Sequence, residues 1–415
     1  MFDIDKWQEI FYTINKNRVR TGITAFNVAF GIFILILLMG FGMGFQNGVR
    51  NQFNDDAINS IFINGGKTSE AHAGLQPGRQ IRFTNDDYTA LQEMEGLDKI
   101  TGRFWLTGEF TVRYENKYSF FSIRSVHPDH EYIEKTIIQQ GRYLNDRDLS
   151  EKRKVAVIGT GVIKVLFPRT GAIGKYITIN GIKYKVVGVF NDEGNERENK
   201  LIYIPISTAQ LAYGGANRVH QFIVTVGDAT VEESMVIEDK IHTLFAERHR
   251  FSKEDDSALR LGNVLEEYAR WMGIFDGIRY FLAAVGFLTL IAGIVGVSNI
   301  MLIIVKERTR EIGVRKAIGA TPRSIIGLFL QESLMVTLLS GYMGMMGGML
   351  FLQSGAMSGL MASFGFPMEF FINPNVDFSS ATIATIILAL SGTIAGYFPA
   401  RKAARIQPIE ALKDE

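Results

Sequence analysis

Three short clusters combine residue types that can bind phosphate, metal or a dinucleotide. Gly66-Lys67-Thr68 matches the end of a phosphate-binding loop, but that motif also needs a glycine five positions before Gly66, where this chain has Ile61. His127-Pro128-Asp129-His130 offers two imidazoles at close spacing with no further His or Cys nearby, so a polar turn competes with a metal site. Gly159 and Gly161 follow the apolar run Val155 to Ile158 like a fragment of a dinucleotide fingerprint, without its third glycine. The sequence shows no His-Glu-x-x-His, no Gly-x-Ser-x-Gly and no chain of intramembrane carboxylates or histidines. We therefore assign no catalytic, cofactor-binding or metal-binding residue and expect no enzyme activity from this chain. Cysteine is absent, which excludes structural disulfides, and a net charge of +1 without a basic stripe argues against a nucleic-acid partner.

The densest chemistry lies instead in Lys306 to Ile325, KERTREIGVRKAIGATPRSI, a basic stretch between two long apolar runs. Lys and Arg stay on the cytoplasmic side of a bilayer, so the segment reads as an inner loop. A helix over about Glu307 to Ile318 would place Ile312, Ala317 and Ile318 near one side, with Glu307, Arg308, Glu311 and Arg315 elsewhere. Gly319 would end it before Pro322. Such a helix could take force from a cytoplasmic partner; a solvated linker is the alternative reading.

The elements around this loop follow from charge and hydropathy. Residues 1–20 carry Ile4, Trp7, Ile10, Phe11 and Ile14 at helical spacing beside Lys6, Lys16, Arg18 and Arg20, as in a cytoplasmic interfacial helix. We expect a first span at 21–45, and Gly40, Gly44 and Gly48 at every fourth position form a smooth strip for a helix interface, expected between subunits. The other spans are expected at 278–305, 324–352 and 378–400, joined by the inner loop 306–323 and a short outer loop 353–377. Glu332 is the one charge inside the third span, where it either packs against protein or snorkels to the headgroups. Arg401, Lys402, Arg405 and Lys413 hold the tail 401–415 inside, so both termini are expected in the cytoplasm.

Residues 46–277 form a large insert of α/β or α+β texture on helical stalks, the second stalk at about 262–277. Strands are expected at Ile58 to Asn64, Arg103 to Tyr114, Tyr118 to Val126, Val155 to Ile158, Leu201 to Ile204 and Gln221 to Val226. Tyr176 to Ile179 and Ile182 to Phe190 flank Asn180-Gly181, a strong hairpin signal. Helices are expected at Thr84 to Glu95, at Val162 to Phe167 and from Val231 to His249. The fold class is thus a membrane protein of four transmembrane helices with a large extracytoplasmic domain inserted between the first two.

Three stretches resemble a known family. The loop above, running on through Gln331-Glu332, is similar to the cytoplasmic signature of MacB/FtsX-type permeases of the ABC transporter class. The ending SGTIAGYFPARKAARIQPIEAL, Ser391 to Leu412, resembles their characteristic close. GRYLNDRDLSEKRKVAVIGTGVIKVLF and AIGKYITINGIKYKVVGVF look like the MacB-type periplasmic core. The resemblance implies a bacterial inner-membrane permease working by mechanotransmission. Its partners would be a second permease copy, in a homodimer or heterodimer, and a separate cytoplasmic ABC ATPase that carries ATP and Mg. Lys306, Glu307, Arg308, Glu311 and Arg315 would belong to the ATPase-coupling segment. Tripartite efflux of a small molecule or peptide, with a periplasmic adaptor and an outer-membrane channel, is the expected function. A lipoprotein-releasing permease and an FtsX-like permease that controls a peptidoglycan hydrolase are the alternatives.

Overall fold

A computed structural model describes residues 18–53, 57–106, 110–168, 171–192, 196–365, 371–374 and 378–407. The expected interfacial helix therefore lies outside the described residues except for its last three, and so does most of the outer loop's second half and the end of the tail. The chain divides into two compact units, one made of residues up to 51 and from 273 onward, the other of residues 52–272.

In chain order the helices are α1 Arg18–Gln52, α2 Asn85–Gln92, α3 His130–Ile133, α4 Asp146–Ser150, α5 Thr160–Leu166, α6 Ile206–Ala212, α7 Val231–His249, α8 Val264–Glu307, α9 Thr309–Ala317, α10 Pro322–Gln353, α11 Ala356–Ser363 and α12 Phe378–Ala404. The strands are β1 Ser60–Gly65, β2 Ile100–Trp105, β3 Thr111–Tyr114, β4 Lys117–Phe120, β5 Ser122–Val126, β6 Ile137–Gly141, β7 Val155–Gly159, β8 Tyr176–Ile179, β9 Ile182–Asn191, β10 Leu201–Pro205, β11 Gln221–Thr225 and β12 Leu259–Asn263.

The inserted unit is built on one mixed sheet in the order β12-β1-β11-β2-β5-β10-β7-β9-β8-β3-β4, with β6 beside β9. Pairs β5/β10 and β7/β9 are parallel, and the other pairs are antiparallel. Period-two burial builds the core: in β9, Tyr184 and Val186 are buried while Lys183 and Lys185 face water. Asn180 and Gly181, with φ of 46° and 85°, form the tight turn that joins β8 to β9. Helix α7 is anchored by a capping box in which Glu233 N donates to Thr230 Oγ1 and Thr230 N donates to Glu233 Oε2. It lays Ile237, Ile241 and Phe245 into the core, where Phe245, Phe83 and Phe222 meet at centroid distances of 5.0 to 6.2 Å.

Three expectations for the inserted unit need correction. Arg103 to Tyr114 is not one strand but the end of β2 and a separate β3. Tyr118 to Val126 is likewise divided at Phe121 into β4, which pairs with β3, and β5, which runs between β2 and β10. An apolar run carries no mark of where it changes partners. The stretch at 262–277 begins with the last residues of β12, and α8 starts only at Val264. Its entrance is marked by Asn263, whose Oδ1 accepts from Glu266 N at 3.2 Å.

In the other unit, three helices among the described residues are long and apolar enough to cross a membrane, at Ala25–Asn51, Val264–Glu307 and Pro322–Gln353, one fewer than expected. The expected fourth span, 378–400, coincides with α12. At 1.5 Å per residue the 44 residues of α8 extend about 66 Å, more than twice a hydrocarbon core of ~30 Å.

Small residues bring the helices of this unit together. Ser333 Oγ donates to Gly392 O at 2.7 Å, and a Cβ at Gly396 would stand 2.6 Å from that of Ser333, so α10 and α12 approach at backbone distance. A Cβ at Gly344 of α10 would collide with the Ala29 carbonyl of α1.

Candidate functional site

At the loop between α8 and α10, charged side chains from separate elements converge. Helix α8 continues through Glu307, Arg308 forms a break, and α9 is shorter at both ends than expected. Gly319, with φ of 103°, ends the turn after it, and Thr321 caps α10 with Pro322 in its first turn. Ile312 is buried at 4% exposure, whereas Ile318 is 82% exposed. Positions five and six apart on a helix are rotated by about 120–140°, so Ala317 and Ile318 do not share the inward side of Ile312.

The proposed coupling residues separate into two groups. Lys306, Glu307 and Glu311 are exposed, and Arg315 Nη2 donates to Glu311 Oε1 at 2.8 Å. Arg308, at 16% side-chain exposure, turns inward. Its guanidinium lies 3.7 Å from Glu332 Oε2 and 3.8 Å from Glu311 Oε2. Glu332 is 3% exposed, so it is packed within the protein rather than snorkelling outward. Beside this pair a pocket of 250 Å³ is floored by Ile312, Ile325 and Phe329 and rimmed by Glu311, Arg315 and Gln331.

Lys316 is a functional candidate that the sequence reading did not single out. Its Nζ donates to Ala404 O at 2.8 Å and to Ile406 O at 2.7 Å. A cation at the C-terminal end of a helix meets unpaired carbonyls and the negative end of the dipole. The two partners are 88 and 90 residues away in sequence, so no local spacing signals the contact. The loop is thus tied to α10 through Arg308 and Glu332, and to the end of α12 through Lys316.

The glycine strip is occupied within the chain, where the sequence alone suggested an interface between subunits. A Cβ at Gly40 would collide with Leu352 of α10, and one at Gly44 would come within 2.7 Å of Phe371. Ile372 N donates to Gly44 O at 3.0 Å, and Gly48 is buried.

The clusters that opened the sequence reading hold the fold. Arg79 N donates to Thr68 Oγ1, and Gly66 N to Ala258 O. Gly161 lies where a Cβ would stand 2.7 Å from Asn199 O. His127 Nδ1 accepts from Gly102 N at 2.8 Å, its ring stacks on Tyr88 at 3.9 Å, and burial pushes its pKa down to about 3. Among the described residues no group of three or more His, Cys, Asp or Glu could hold a metal.

His130 belongs to a buried ionic hub. Its Nε2 is 3.0 Å from Glu134 Oε2, which also accepts from Tyr203 Oη at 2.7 Å. Arg124 Nη1 donates to both Glu134 oxygens at 2.8 and 2.9 Å, and Arg103 Nη2 donates to Oε1. Arg124 Nη2 reaches Glu198 at 3.0 Å. Burial raises the pKa of Glu134, but His130, Arg103 and Arg124 more than offset this and hold the carboxyl well below its usual range. Burial pushes the pKa of His130 itself down, against the pull of Glu134.

Residues 21–236 match the family model of the MacB-like periplasmic core domain, and residues 283–408 match that of the FtsX-like permease C-terminal. A macrolide export ATP-binding/permease protein MacB of Bdellovibrio bacteriovorus is 28% identical over 99% of this chain and 62% of that protein. Its counterpart in Chlorobaculum tepidum is 30% identical over 98% and 61%. An uncharacterized ABC transporter permease of Methanocaldococcus jannaschii is 27% identical over 98% of this chain and 96% of its own length. The chain thus spans about three fifths of the MacB relatives. Among solved structures, the periplasmic region of MacB from Actinobacillus actinomycetemcomitans aligns with a TM-score of 0.44 at 19% identity, covering 55% of this chain and 98% of that one. Two matched segments that together run from the first span to the C-terminal helix leave one assignment: the chain belongs to the MacB-like, FtsX-type family of ABC transporter permeases.

Proposed function

We propose that this chain is a permease subunit that turns ATP hydrolysis on a separate cytoplasmic ATPase into movement of its extracytoplasmic domain. In this reading α12 is the fourth span, both termini and the α9 loop face the cytoplasm, and residues 52–272 lie outside. The protein works as a dimer, with ATP and Mg bound on the partner. Lys306, Glu307, Glu311 and Arg315 meet the ATPase, and Arg308 and Lys316 pass the displacement to α10 and α12. The relatives named as macrolide exporters favour efflux of a small molecule or peptide with an adaptor and an outer-membrane channel.

The observation that carries this reading is the double attachment of α9, through Arg308 to Glu332 and through Lys316 to the carbonyls of Ala404 and Ile406. A loop fastened to two membrane helices cannot shift without moving them. Lys316→Met keeps the length of the side chain and removes its donors. In the reconstituted complex with its ATPase, it should lower permease-dependent stimulation of ATP hydrolysis by roughly 5- to 150-fold, the span of a 1–3 kcal/mol coupling free energy. Lys316→Arg should retain most of it. Full stimulation with Lys316→Met would refute the transmission route.

A further inference from the structure

Helices α1, α8 and α12 enclose a laterally open groove of 630 Å³ in the membrane unit. Its walls include Leu35 and Met39 of α1, Leu282 and Phe287 of α8, and Leu390 and Ile394 of α12. This volume falls within the range of small-molecule sites, which are mostly apolar with a few polar groups that fix orientation. The polar side chains on its lining are Gln46, Arg279 and Ser391. Gln46 and Arg279 sit at the end of the groove where α1 and α8 leave for the inserted unit. The Arg279 side chain is 75% exposed, and the Asp276 carboxylate is 3.9 Å away, too far for a direct hydrogen bond.

From Arg279 to Ile294, at 1.5 Å per residue, the groove runs about 22 Å along α8. One leaflet contributes about 15 Å, half of the ~30 Å hydrocarbon core, so a whole acyl chain fits lengthwise. A slot that is apolar along its length and cationic at one end is complementary to an anionic amphiphile. Asp276 faces Arg279 at 3.9 Å without a direct hydrogen bond, which leaves the guanidinium donors for a phosphate.

We propose that this groove binds an anionic phospholipid of the outer leaflet, with an acyl chain along α8 and α12 and the phosphate at Arg279 and Gln46. The proposal rests on reading this unit as membrane-spanning, with α12 as a span, but not on the coupling mechanism. Neither the ATPase nor any cargo enters its test, so the two can fail separately.

The test uses the full chain reconstituted in vesicles of equal phosphatidylglycerol and phosphatidylcholine, then extracted and weighed by native mass spectrometry. The wild type should retain phosphatidylglycerol over phosphatidylcholine by roughly tenfold, the scale of one charge-assisted contact. Arg279→Gln should bring the two lipids to near parity, and Ala283→Phe, which fills the groove, should remove both adducts. Arg279 is exposed, so its replacement should not disturb folding, and an unchanged gel-filtration profile checks this. Equal retention of both lipids by the wild type, or an undiminished preference in Arg279→Gln, would overturn the proposal. A second copy of the chain is the rival occupant. The chain has no cysteine, so a single Leu282→Cys that cross-links quantitatively to its copy while the lipid adduct is absent would also overturn it.

Discussion

Glu134→Ala should destabilise the inserted unit by about 3–5 kcal/mol, the cost of breaking a buried ion pair from one side. Glu134 gathers Arg103 from β2, Arg124 from β5, Tyr203 from β10 and His130 from α3. Removing it leaves two guanidiniums in a site with little water and no carboxylate of equal reach. Glu198 touches Arg124 through Nη2, which leaves the Nη1 that Glu134 held without its acceptor. The location adds to the effect, because among the described residues β2 and β5 are paired only at Phe104 with Ser125 and at Trp105 with Arg124. Side chains, more than the ladder, fasten one half of the sheet to the other at that seam.

Urea unfolding of the full chain, followed by fluorescence, would show the loss as a lower midpoint. The pH dependence has a definite sign. A carboxyl whose folded pKa is depressed stabilises fully above its unfolded value of 4.5, and this contribution fades as pH falls towards the folded value. The gap between wild type and Glu134→Ala should therefore be constant at neutral pH and close in acid. A gap that is unchanged in acid would show that the carboxylate charge is not the cause.

Arg308→Ala should cost about 0.5–3 kcal/mol in stability, the scale of coupling between residues in one ionic network. The pair at 3.7 Å is not an ideal hydrogen bond, but Glu332 is deeply buried and the lost cation is one charge that faces it. The double variant Arg308→Ala with Glu332→Gln should regain most of the loss, because no carboxylate then remains to be neutralised. Thermal unfolding of the four forms in detergent gives the coupling energy of the pair. Additive losses would mean that Arg308 and Glu332 stabilise the unit independently, and the link from α9 to α10 would then rest on apolar packing alone.

Local signals were legible in the sequence wherever one element's own residues define it. Helix α7 begins and ends where Thr230, Glu233 and the last turn at His249 indicate, and Asn180-Gly181 turns between β8 and β9 as read. The basic loop between two apolar runs is likewise a local feature. What escaped depends on partners distant in sequence. The division of Tyr118 to Val126 at Phe121 follows from β4 and β5 having different neighbours. The Lys316 contact joins residues about ninety positions apart. Ile318 does not share the side of Ile312, because six positions along a helix rotate it by about 120°. For the glycines, spacing indicated close approach, but not that Leu352 and Phe371 of the same chain are what approaches.

The central claim is that a cytoplasmic loop and an external domain are mechanically linked through membrane helices, so the two must lie on opposite sides of the bilayer. The most direct measurement places a single cysteine at Arg310 on α9 or at Lys183 on β9, both exposed, in this cysteine-free chain and applies a membrane-impermeant maleimide to intact spheroplasts. Lys183→Cys should label at once, and Arg310→Cys only after the membrane is opened. Equal labelling of both before permeabilisation would contradict the account.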